Sequence, residues 1–105
     1  MKVTYKKCIE QEKTEFLLIN FDYEDGNDYL AKIFCEKYGM IADEKKEYIY
    51  YSVLDLHIDN ITYELLWHED IGNSIYSLEQ DEDTIDELEE RLKTVLVILN
   101  EKIEP

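Results

Sequence analysis

The segment Leu54-Asp55-Leu56-His57-Ile58-Asp59-Asn60-Ile61-Thr62-Tyr63-Glu64-Leu65-Leu66-Trp67 decides the fold. Apolar residues recur at every second position on both sides of Asp59-Asn60, which is the period of a half-buried strand. A two-residue turn at Asp59-Asn60, whose side chains tolerate a left-handed backbone, folds the segment into a hairpin. That register sets Ile58 against Ile61, Leu56 against Tyr63 and Leu54 against Leu65 on one face. On the other it sets His57 against Thr62 and Asp55 against Glu64. One face is core and the other is acidic.

Toward the C-terminus, Glu69 to Asn73 reads as a turn around Gly72, and Ser74 to Leu78 as a short strand that completes a meander. Thr84-Ile85-Asp86-Glu87 has the form of a capping box. Ile85, Leu88, Leu92, Val95, Leu96, Leu99 and Ile103 follow as one helical stripe, with acidic residues crowding the start of the helix and Arg91, Lys93 and Lys102 farther along. Val97 and Ile98 widen the stripe. The helix is therefore wedged between the sheet and another helix, or shares a face with another molecule.

Toward the N-terminus, Met1 to Glu10 and Thr14 to Phe21 read as two strands around a Gln11-Glu12-Lys13 turn, the second nearly continuous in apolar residues and so interior to the sheet. Asp25 or Asn27 caps a helix that runs to Tyr38, with Leu30, Ile33, Phe34 and Tyr38 on one face and Gly39 as its stop. The order β-β-α-β-β-β-α predicts an α+β, two-layer domain over residues 1–105. Its antiparallel, about five-stranded sheet carries both helices on one face.

Charge is unevenly distributed. Between Glu47 and Glu90 the chain has fourteen Asp and Glu residues and no Lys or Arg, against eight basic and ten acidic residues over 1–46. Most of the net charge of -15 arises in that stretch. Solubility needs far less, and a surplus this large points to a basic partner or a broad solvated face. The 45% apolar content and nine tyrosines speak for a packed core rather than disorder. No apolar run approaches a membrane span, and the start is polar, so the expected compartment is the cytoplasm. Cys8 and Cys35, far apart and without ligand neighbours, read as free thiols.

Asp55, His57 and Asp59 place three candidate metal ligands on one strand face, but alternate residues lie roughly 6.5 to 7 Å apart, too far for one ion. His68-Glu69-Asp70 lacks the second histidine of a zinc helix. The expectation is no metal and no cofactor. No nucleophile elbow, phosphate loop or dinucleotide fingerprint occurs, so the chain is not read as an enzyme. Direct nucleic-acid binding is disfavoured by the absence of clustered Lys and Arg. Tyrosines at 48, 50, 51, 63 and 76 suit strands, and any that are exposed, with Trp67 or His68 nearby, have the composition of binding hot spots.

In its element order and in the Asp and Glu residues concentrated from Asp55 to Glu90, the chain resembles the immunity proteins of bacterial polymorphic toxin systems, including those of contact-dependent growth inhibition. The resemblance implies a protein that binds one cognate, basic toxin domain 1:1 and occludes its active or substrate-binding surface. It implies that Asp55, His57, Asp59, Glu64, Glu69 and Asp70 meet that partner. The alternatives are an acidic secretion chaperone or adaptor, dimeric through the Val97/Ile98 side of the last helix, and a small enzyme.

Overall fold

The computed structural model describes residues 2–103. Met1, expected at the head of the first strand, lies outside the described residues. The fold is α+β in two layers, with strands β1 (Thr4–Glu10), β2 (Lys13–Ile19), β3 (Ile41–Ala42), β4 (Lys46–Glu47), β5 (Tyr51–Ile58), β6 (Ile61–His68) and β7 (Gly72–Ser77) and helices α1 (Gly26–Tyr38) and α2 (Glu82–Ile103). All pairings are antiparallel, in the order β1-β2-β7-β6-β5-β3, with β4 also on β5. The β5-β6-β7 meander thus returns β7 to the side of β2, which is interior as expected.

The central hairpin has the anticipated register, from Ile58 opposite Ile61 to Leu54 opposite Leu65, with His57 opposite Thr62 and Asp55 opposite Glu64. Asp59 takes the left-handed backbone, with φ 53. The five long strands were expected; β3 and β4 were not. They are two-residue pieces along the outer edge of β5, pairing Ile41 with His57 and Lys46 with Val53. They cover one edge of the sheet. The opposite edge, β1, carries Lys6 and Lys7, charges of the kind that discourage edge-to-edge association.

The inward face of the sheet contributes Phe16, Leu18, Leu54, Leu56, Tyr63, Leu65 and Ile75 to one core. Leu30, Ile33 and Phe34 of α1 and Leu88, Leu92, Val95, Leu96 and Leu99 of α2 cover it. Each such side chain stabilises by about 1.5 to 3 kcal/mol relative to exposure. Tyr63 is fully buried, and its hydroxyl accepts a hydrogen bond from Arg91 Nη1 at 2.8 Å, so the one polar atom of the ring is satisfied. Ile98 packs on the core while Val97 stays exposed, and α2 lies against both α1 and β7.

Polar ties hold α2 onto β1. The Tyr5 hydroxyl donates to Glu89 Oε2 at 2.6 Å, and burial together with that carboxylate pushes its pKa up to about 12. Val3 and Asn100 exchange two hydrogen bonds, of 2.8 and 3.0 Å. Two helix starts differ from expectation. Helix α2 begins at Glu82, and Asp81 is its cap: the carboxylate accepts from Thr84 N–H at 3.0 Å and from the Thr84 hydroxyl at 2.8 Å. Thr84 therefore sits one turn inside the helix rather than at its boundary, because Asp81 offers two acceptors where a threonine offers one. At α1, Asp25 holds the capping position without a side-chain bond, and Asn27 is buried instead. Gly39 stops α1 in the left-handed conformation, donating to the Cys35 carbonyl at 2.9 Å. Cys8 and Cys35 are both free thiols.

Candidate functional site

Both helices lie on the face that carries Leu54 and Leu56, so the alternate residues of every strand form a second face with no helix over it. On it, neighbours in register form two rows. One runs Leu17, Ser74, Leu66, Val53, Lys46 and is mostly apolar. The other runs Tyr76, Glu64, Asp55, with Glu15 next to Phe16 at its β2 end. At its β5 end Asp43 N–H donates to the Asp55 carbonyl at 2.9 Å. An acidic row thus lies directly beside an apolar one.

The charges of the acidic row are only partly compensated. Asp55 Oδ1 is buried and has no hydrogen-bond partner. That burial, and after it the charges of Glu64 and Asp43, raise the Asp55 pKa above its ordinary value despite His57 and Lys46 nearby. Burial and the Glu64 carboxylate likewise hold the Tyr76 hydroxyl protonated, while Lys13 Nζ sits 3.6 Å above the Tyr76 ring. The ion pairs to Lys and Arg go elsewhere: Lys7 to Glu89, Lys45 to Asp28 and Glu47, Arg91 to Glu87, and Lys93 to Glu90. Among the described residues, Asp55, Glu64, Asp59, Glu69 and Asp70 have none.

His57 is held at both nitrogens, with Nε2 2.7 Å from Asp43 Oδ2 and Nδ1 2.9 Å from Thr62 Oγ1. Hydroxyl, imidazole and carboxylate in a chain is the order of a nucleophilic triad. Thr62 N–H in turn donates to Glu79 Oε2 at 3.2 Å. The arrangement ties the segment between β3 and β4 onto the sheet face. No three His, Cys, Asp or Glu side chains among the described residues converge to hold a metal ion.

The six residues singled out by sequence separate into three places. Asp55, His57 and Glu64 share the open face, half-buried. Asp59 is exposed in the β5–β6 turn, and Glu69 and Asp70 are exposed in the β6–β7 turn. The length of β6 divides those turns, roughly 25 Å for eight residues. Three residues past Asp59, Thr62 accepts from Leu78 N–H and donates to the Glu79 carboxylate. Glu69 and Asp70 instead flank an exposed aromatic tip.

In that tip Tyr48 and Tyr51 stack at 4.5 Å, Ile49 is 87% exposed, and Ile71 from the neighbouring turn is 61% exposed. Backbone bonds fix its shape: Tyr48 N–H to the Tyr51 carbonyl at 2.8 Å, and Glu69 N–H to the Tyr50 carbonyl at 2.9 Å. The tyrosines flagged by sequence as either core or interface thus divide, with Tyr63 in the core and Tyr48, Tyr50 and Tyr51 outside. Asp43 and Glu79 escaped the sequence reading because only tertiary pairing brings them to His57 and Thr62. No family model, curated protein or solved structure matches this chain.

Proposed function

We propose that this chain is a cytoplasmic immunity protein that binds a basic toxin domain and neutralises it by covering its active or substrate-binding surface. One observation carries the reading: a complete sheet face without helices over it sets unpaired carboxylates beside an apolar row. Such a face supplies what occlusion needs. Its apolar row gives area to bury, and its carboxylates attract a cationic surface from a distance and set the docking register. Asp55 Oδ1, already stripped of water without a partner, gains a donor on binding and so loses less solvation than an exposed carboxylate would. The pre-organised tip around Ile49 and Tyr50 offers a second anchor at the end of the same layer.

The test takes as its partner a basic C-terminal toxin domain of an exported protein, sought first in the gene next to this one. Co-expression restores growth in cells poisoned by that domain, and the purified pair forms a 1:1 complex that weakens with salt. Changing Asp55→Lys and Glu64→Lys together raises Kd at least about 100-fold, the equivalent of roughly 3 kcal/mol for charge pairs lost at an interface. Unchanged binding by that double variant removes the sheet face from the mechanism.

A further inference from the structure

The helical layer holds a second feature, distinct in shape and charge from the acidic sheet face. A groove of about 460 Å³ lies between α1 and the last turns of α2, within the range of small-molecule sites. Its floor is Phe21, Ile33 and Leu99, all buried. Its walls are Tyr23, Tyr29 and Ile103, which remain 58%, 57% and 44% exposed. The apolar stripe of α2 runs on past the cover that α1 provides, and the exposed tyrosines flank what is left. Phe21 and Tyr23 meet edge to face at 5.5 Å, which orients that wall.

Among the described residues, Lys32 and Lys102 line the groove with Asp25 as the only carboxylate, so that lining is net cationic on a chain of net charge -15. Among the described residues neither lysine makes an ion pair. Asp28, one turn before Lys32, pairs instead with Lys45 Nζ at 3.2 Å. Two ammonium groups over an aromatic and aliphatic floor match a ligand with an apolar body and one anionic head.

We propose that this groove binds a small amphiphilic anion, an apolar chain or ring bearing a carboxylate or sulfonate, with the head between Lys32 and Lys102 and the body on Phe21, Ile33 and Leu99. The site lies on the opposite layer from the acidic sheet face, so its success or failure is independent of toxin binding.

The experiment titrates the full chain with dodecanoate, dodecanol and dodecyltrimethylammonium, each below its aggregation concentration, and follows backbone amide shifts. Dodecanoate binds saturably with Kd on the order of 0.1 to 1 mM, and the shifts map to the groove. On a strongly acidic protein an unspecific surface would prefer the cation, so a cation that binds as well as the carboxylate overturns the proposal. Lys32→Glu with Lys102→Glu, both exposed positions, weakens dodecanoate at least tenfold and leaves dodecanol within about twofold. Equal loss of both ligands, or shifts confined to other surfaces, also overturns it. So does sedimentation that finds the groove closed by a second copy of the chain at the working concentration.

Discussion

At Asp55 one carboxylate oxygen has lost water without gaining a donor, and neighbouring carboxylates add to the cost of its charge. Its folded pKa therefore lies above the ordinary value of 3.8, and ionisation of this residue works against folding. The sign follows directly: the penalty is complete above the folded pKa and vanishes below 3.8, where both states are protonated. Asp55→Asn is expected to stabilise the free protein at neutral pH by on the order of 1 kcal/mol, the low end for an unpaired polar group because the residue is only half-buried. In urea melts across the acid range the gain shrinks as pH falls through the folded pKa. A gain that persists unchanged in acid would mean that packing, not charge, causes it. Asp81 acts in the opposite sense. Its bonds from Thr84 lower its pKa, so its contribution is present above 3.8 and is lost as pH falls through the folded value. The two aspartates show that carboxylates in one acidic stretch can serve different ends, one capping a helix and one held at a cost on the open sheet face.

At the scale of elements, Gly39 isolates a backbone effect. It ends α1 at φ 70, and nothing lies within 4 Å of where a Cβ would stand. Gly39→Ala therefore meets no clash and costs only left-handed strain, about 1 kcal/mol in a thermal or urea melt. Gly26→Ala differs in kind, since its Cβ would come within 2.7 Å of Asn73 Nδ2 and of the Phe21 ring. The same contrast between local and tertiary causes decides what was legible in the sequence. The β5–β6 register could be read because a period of two and a turn residue that tolerates positive φ are both local. The end of α1 could be read because Gly39 is a local signal. Strands β3 and β4 could not, since two residues have no period and these pieces exist only because β5 offers an edge. The α2 cap was misplaced onto Thr84 because Glu82 and Asp83 carry no apolar signal to mark the first turn. For the site, alternation placed Asp55, His57 and Glu64 on one face. The two turns read from the sequence, at Asp59-Asn60 and from Glu69 to Asn73, already set Asp59 and the Glu69–Asp70 pair at opposite ends of β6, but that reading could not foresee that Asp43 would fold back onto His57.

For the whole molecule the governing quantity is charge against size. A net charge of -15 is confined to extents of 34 × 30 × 26 Å, and the basic side chains that form ion pairs sit on or against the helices. Carboxylates on the sheet face, on the α2 start and at the aromatic tip thus repel one another across distances of one to two Debye lengths at moderate salt. Unfolding relieves that repulsion by spreading the charges, so the compact state is the one that screening favours. Raising salt from about 10 to about 150 mM, which shortens the Debye length from roughly 30 to 8 Å, is expected to stabilise the free protein by on the order of 1 kcal/mol. For a domain of this size that corresponds to a rise in Tm of about 5 °C by calorimetry. The opposite response, a Tm that falls with salt, would mean that the ion pairs on the helices outweigh the repulsion between surfaces. A rise would set two demands against each other, because salt that steadies the free chain also screens the long-range attraction between its sheet face and the cationic partner proposed for it. The benefit of binding is then largest at low ionic strength, where the unbound chain is least stable.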